Sequence, residues 1–153
     1  MRKSIEYIQE EGTDKGKVFV ITRMSAFKAD EWAMDIVRGL SKAGAKLPIE
    51  AKDMGIATLG GLAMTLFGVM DKDISNKALA ELLECCQIKR DPKNPNVQPA
   101  KILEGDITDP MTLKELRVRA FQLHVDFILA AASLISPLAV ALQMGKNENS
   151  QDQ

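Results

Sequence analysis

The chain has 153 residues, 46% apolar and 27% charged, which is the composition of a globular protein long enough to bury a core of its own. Twenty basic residues against twenty-one acidic ones leave a net charge of −1, which argues against a nucleic-acid partner, since a phosphate backbone calls for a basic face. Two adjacent cysteines, Cys85 and Cys86, and a single histidine, His124, provide neither a disulfide framework nor the ligands of a zinc site.

Residues 1–16 are polar and read as a flexible N-terminal segment. Met1-Arg2-Lys3 runs into Ser, Glu and Gln with no apolar stretch, so no signal peptide is expected and the chain should stay in a reducing cytoplasm. Lys17 to Arg23 (KVFVITR) is rich in β-formers after Gly12 and Gly16, and predicts one strand. Ser25 is placed to cap a helix through its hydroxyl. Along that helix Ala29, Trp32, Ala33, Ile36, Val37 and Leu40 recur at helical spacing, with Trp32, Ile36 and Leu40 as its core, and Gly44 stops it.

After a linker at Leu47-Pro48 comes Met54 to Met70, seventeen residues without a charge. Its glycines Gly55, Gly60, Gly61 and Gly68 each cost a helix about 1 kcal/mol relative to alanine, which close packing must offset. A third helix is expected from Ile74 to Cys86, capped by Ser75. An extended loop, Gln87 to Asp109, follows with Pro92, Pro95 and Pro99, and Val97 to Leu103 could add a short strand.

Asp109-Pro110 marks the start of the last helix. Leu113, Leu116, Ala120, Leu123, Phe127, Ala130 and Leu134 form one apolar stripe. Val118, Phe121, Val125, Ile128, Ala132 and Ile135 form a second, about 140° away at 3.6 residues per turn. The spacing predicts a rod of roughly 40 Å ended by Pro137, with two sides to cover. A small domain covers one, so the second stripe is expected to bind a partner. The fold class expected is mainly α, about four helices with a minor N-terminal strand element and a long C-terminal helix over residues 17–145, followed by a disordered polar tail, 146–153.

The residues carry no catalytic pattern. His124 sits between the stripes and reads as a packing residue. Glu81 and Glu84 read as a solvated helix edge, and the glycines of residues 55–68 match no nucleotide loop. Lys89, Arg90, Lys93 and Lys101, broken by Asp91, read as a solvated loop. No cofactor or metal is expected, and the chain reads as a non-enzyme. Phe127 to Gly145 is uncharged like Met54 to Met70, but neither stretch has flanking basic clusters or an aromatic belt, so burial is favoured over a membrane span.

The order KVFVITRMSAFKADEWAMDIVRGL, LAMTLFGVM, ALAELLECCQI with its proline-rich loop, then LRVRAFQLHVDF, resembles the tail assembly chaperones of long-tailed, lambda-like bacteriophages, over residues 17–128. The resemblance implies a non-catalytic protein of the host cytoplasm, absent from the finished virion. It implies binding to the tape measure protein and recruitment of major tail protein; the uncovered apolar stripes separately lead one to expect self-association into a homo-oligomer. A small phage-encoded membrane protein, or a structural tail or neck subunit, are the alternatives.

The resemblance also implies two products, the longer made by a minus-one slip of the ribosome near the end of the gene. Met144-Gly145-Lys146 is compatible with the slip run G-GGA-AAG, because ATG supplies the leading G and either lysine codon begins with two adenines. Residues 1–146 would then be common to both products, just ahead of the tail. The codon for Gly145 should be GGA, with an open minus-one frame beyond it. Sequencing the gene checks this, and any other glycine codon or an early stop removes the site.

Overall fold

The computed structural model describes residues 2–44, 64–65 and 67–135. Along these run β1 (Ser4–Ile8), β2 (Val18–Thr22), α1 (Ala26–Lys42), α2 (Lys72–Glu84), β3 (Cys86–Lys89), β4 (Ala100–Lys101), α3 (Pro110–Gln122) and α4 (Val125–Ile135). The linker at Leu47-Pro48, residues 54–63 of the glycine-rich stretch, Pro137, the polar tail and Met144 to Lys146 lie outside the described residues. The architecture is mixed α/β and helix-dominated: four strands form an antiparallel sheet in the order β1-β2-β3-β4, against which the helices build the core.

The strand read from KVFVITR is an inner strand of that sheet, and both its neighbours come from segments expected to be irregular. Ser4 to Ile8, within the segment expected to be flexible, pairs with β2 in the register Ile5↔Ile21 and Tyr7↔Phe19. Cys86 to Lys89, expected as helix end and loop, pairs on the other side as Ile21↔Cys86 and Phe19↔Ile88. Residues opposite one another share a face, so Ile5, Tyr7, Phe19, Ile21, Cys86 and Ile88 form the apolar floor of the core. Within the proline-rich stretch only Ala100 and Lys101 are extended as β4.

Helix α1 buries Ala29, Trp32, Ala33, Ile36, Val37 and Leu40, as its periodicity predicts, and Gly44 follows with φ +77°. Ser25 holds the capping position without using its hydroxyl. Trp32 is 2% exposed and donates from Nε1 to the Ala78 carbonyl of α2 at 3.2 Å. Helix α2 begins two residues earlier than its apolar pattern suggests, because Asp71 accepts from the Asp73 amide at 3.0 Å. Ser75, expected as the cap, lies inside the helix and bonds the Phe67 carbonyl at 3.1 Å. A close helix-packing glycine is found in α1, where a Cβ on Gly39 would lie 2.7 Å from Met70 Cε; around Gly68 there is open space, and Gly55, Gly60 and Gly61 lie outside the described residues.

The single C-terminal rod is replaced by two helices bent by 57° between Gln122 and Val125. Leu123 and His124 close three-residue hydrogen bonds to Ala120 and Phe121, the tighter winding typical of a helix end. The bend has a physical reason. A straight rod would turn one of its two stripes to water, whereas the bend lets Leu116, Ala120 and Phe121 of α3 and Val125, Ile128 and Ala131 of α4 all reach the core.

Asp14, in the β1–β2 connection, ties this arrangement together. Its carboxylate is fully buried and accepts from the amides of Thr108 (3.1 Å) and Asp109 (3.0 Å), the hydroxyls of Thr108 (3.0 Å) and Thr112 (2.7 Å), and Lys17 Nζ (2.9 Å). Lys17 Nζ also donates to the Asp106 carbonyl at 2.7 Å. The carboxylate thus sits at the amino end of α3, where helix N–H groups and dipole favour a negative charge. Burial alone would raise its pKa; the bonds from Lys17, Thr112, Asp109 and Thr108 outweigh burial and hold it far below the ordinary carboxylate range.

Replacing Asp14 by Ala strands several donors and Lys17, and should cost about 3–5 kcal/mol in urea unfolding. Because the folded-state pKa is depressed, the stabilisation is complete above the unfolded value near pH 4 and drains away as pH falls below it. Acid unfolding below about pH 4 should therefore flatten in Asp14→Asn, measured by circular dichroism.

Candidate functional site

His124 occupies the bend and is fully buried. The Met24 amide donates to Nε2 at 2.9 Å, so Nε2 carries no proton; Nδ1 then donates to the Ala120 carbonyl at 2.7 Å. The ring is neutral, with both nitrogens engaged by backbone, and it packs against Trp32 at 5.3 Å between centroids. His124 therefore fastens the β2–α1 connection to the bend and presents nothing to a ligand. Burial lowers its pKa; the Ala120 bond and the Asp126 charge pull upward, while the Arg23 charge adds to the lowering. Arg23 itself pairs with Asp126 at 2.9 Å and lies over the Phe127 ring at 4.4 Å.

The stripe expected to bind a partner is divided by the fold. Phe121, Val125 and Ile128 are 0–3% exposed and belong to the core. They are corrected from binding to packing residues, because the bend carries both stripes inward. Val118, Ala132 and Ile135 stay half-buried at the surface. What α4 exposes comes largely from the other stripe: Leu134 at 67% and Ala130, with Phe127 and Leu129 half-buried beside them. The helix carries one charge, Asp126, and buries only Val125, Ile128 and Ala131. A mainly apolar flank therefore remains at the surface of the described residues.

A shallow groove of about 360 Å³ between α1 and α2 has Trp32, Ile74 and Ala78 as its floor, with Lys77 and Glu81 on its rim. Glu84 pairs with Lys28 at 3.3 Å, while Glu81, whose pKa burial raises, lies 3.9 Å from Lys77. The two carboxylates thus have separate partners. Burial pushes Cys85 up to about 11 and Cys86 to about 12, so neither thiol is a nucleophile near neutral pH. Among the described residues no group of three or more His, Cys, Asp or Glu side chains is placed to hold a metal ion. Arg90, read as part of a solvated basic loop, is instead tied to Asp106 and to the Lys101 carbonyl.

Asp14 and Gly12 were not apparent as important residues. Gly12 has φ +82°, and a Cβ there would lie 2.0 Å from Asp109 Oδ2. The only sequence signal was a turn-rich GTDKG run facing an ITDP helix start ninety residues away.

No family model, no curated protein and no solved structure matches this chain.

His124 makes stability depend on pH in a second, milder window. Its folded-state pKa is depressed, so the unfolded chain takes up the proton first, and stability falls as pH drops below about 6.5. The urea midpoint of the wild type should decline between about pH 7.5 and 5.5. His124→Gln should lower the midpoint overall and flatten that dependence.

Proposed function

We propose that this protein is a tail assembly chaperone of a long-tailed bacteriophage. It acts without catalysis in the host cytoplasm, binding the tape measure protein and helping to recruit major tail protein during tube assembly. The order of pieces over residues 17–128 supports this reading. The observation that carries it in the fold is the apolar flank of α4 around Ala130 and Leu134, with Phe127, Leu129, Ala132 and Ile135 half-buried beside it. A helix with one charge over eleven residues and three buried positions is built to lie against another apolar surface. A long helical protein such as a tape measure offers one as a complementary stripe.

The second reading is a membrane protein. Taken together, α3 and α4 are long and apolar enough to cross a bilayer; no single helix among the described residues is. The 57° bend and the burial of Leu116, Ala120, Phe121 and Ile128 against the sheet and α1 favour the soluble binder.

Co-expression with the tape measure protein should keep that partner soluble and yield a complex, and the chaperone should be missing from purified virions. Stoichiometric presence in virions, or recovery only in the detergent-soluble membrane fraction, overturns the reading. Leu134→Asp should leave stability within about 0.5 kcal/mol while weakening the complex. Ile128→Asp should instead unfold the domain, since a desolvated unpaired charge costs several kcal/mol. Thermal melts and pull-downs of both variants separate the two effects.

A further inference from the structure

Strand β1 is the first strand in the sheet order, and among the described residues nothing pairs with its outer side. The Gln9 amide donates to the Lys17 carbonyl at 3.0 Å and the Arg23 amide to the Lys3 carbonyl at 2.8 Å. In the register Ser4↔Thr22 to Ile8↔Val18, the odd-numbered residues therefore carry the bonds to β2. Antiparallel strands alternate in this respect, so the N–H and C=O groups of Ser4, Glu6 and Ile8 point away from the sheet. Such an edge is a ready template for another strand unless it is blocked by charge, proline or a bulge. β1 has no proline, and its one charged residue, Glu6, is held by Lys89 at 2.7 Å.

The charges flanking the strand select the occupant. Arg2 and Lys3 precede it, Glu10 and Glu11 follow it, and all four are exposed. None of them takes part in the ion pairs found among the described residues. A strand basic at its start and acidic at its end is complementary to itself when laid antiparallel. We propose that two copies of this chain join edge to edge through β1, around a two-fold axis at Glu6, to make one continuous eight-stranded sheet.

In that register Ile5 lies opposite Tyr7 of the second copy. This is an aromatic–aliphatic pair of half-buried side chains on the face that carries the core. Ser4 lies opposite Ile8, which is 51% exposed in the single chain. Arg2 and Lys3 reach the Gln9-to-Glu11 end of the second copy, where Glu10, Glu11, Asp109 and Glu115 rim a cleft beside Tyr7. The two Glu6 side chains meet at the axis, but each keeps its own Lys89, so the ladder Lys89–Glu6–Glu6–Lys89 is neutral. A parallel arrangement would set like charges together, and an axis at Ile5 would leave Arg2 opposite Ile8 and Lys3 opposite Tyr7, short of the acidic residues. The pairing is self-complementary, as a two-fold interface requires. It is independent of the chaperone reading, since it uses a different face from α4.

Sedimentation of the full chain should show a monomer–dimer equilibrium that weakens with salt. Ile8→Pro removes an outward N–H and leaves the β2 ladder intact, so it should give a folded monomer. Arg2→Glu with Lys3→Glu should weaken the dimer about tenfold or more, and adding Glu10→Lys with Glu11→Lys should restore it. Glu6→Cys should form a disulfide-linked dimer on mild oxidation that the wild type does not, because hydrogen-bonded cross-strand partners stand about 5.5 Å apart at Cα. If Ile8→Pro does not fold, the charge series and the cross-link decide. A chain that stays monomeric at every concentration overturns the proposal. So does a dimer indifferent to the charge reversals in which Glu6→Cys fails to cross-link.

Discussion

The Asp14 carboxylate lies in a connection between two strands, yet all its hydrogen bonds but that from Lys17 come from residues more than ninety positions later in the chain. A buried anion is tolerated only where its lone pairs are met, and here two backbone amides, two hydroxyls and a lysine ammonium meet them. The amides belong to Thr108 and Asp109, the two residues that lead into α3, where the helix dipole also favours a negative charge. The first-turn amide of Met111 is capped separately by the Asp109 side chain, so Asp14 fixes the approach to the helix and Asp109 its first turn. Gly12 makes the approach possible, because its positive φ and missing side chain let the connection come up against Asp109. The start of α3 is thereby tied to the β1–β2 hairpin, and the direction in which α3 leaves the sheet follows from that tie.

His124 does for the far end of α3 what Asp14 does for its start. A neutral imidazole is donor at one nitrogen and acceptor at the other, and here each is matched to a backbone group, the Ala120 carbonyl and the Met24 amide. The bend at this point resolves a conflict written into the C-terminal segment, which has two apolar stripes and one core. Bending sends part of each stripe inward and leaves the flank of α4 at the surface. Which apolar face stays at the surface of the described residues is therefore set by the bend, and only indirectly by the periodicity of the helix.

Two surfaces follow from this arrangement, and they differ in kind. The flank of α4 is apolar and suits a second helix, where side-chain shape and burial give affinity. The edge of β1 offers backbone hydrogen bonds with opposite charges at its two ends, so its affinity comes from the main chain and its orientation from electrostatics. They lie on different elements, and a chain that pairs through one keeps the other free.

Several features were decided by local sequence alone. The 3.6-residue periodicity of α1, with Trp32, Ile36 and Leu40 inward, the strand at Val18 to Thr22 and the Asp109-Pro110 start of α3 all rest on contacts within a few residues, which one segment encodes by itself. The packing role of His124 was also readable, since a lone histidine between two apolar stripes has little else to do. What tertiary structure decided was everything that needed a distant partner. Ser4 to Ile8 and Cys86 to Lys89 are too short to declare themselves and become strands only because β2 stands between them with both edges open. Asp14 looks like an ordinary turn residue until the amino end of α3 arrives over it. The break at Leu123 and His124 has no proline or glycine to announce it; it arises because a continuous helix cannot bury two faces against one core.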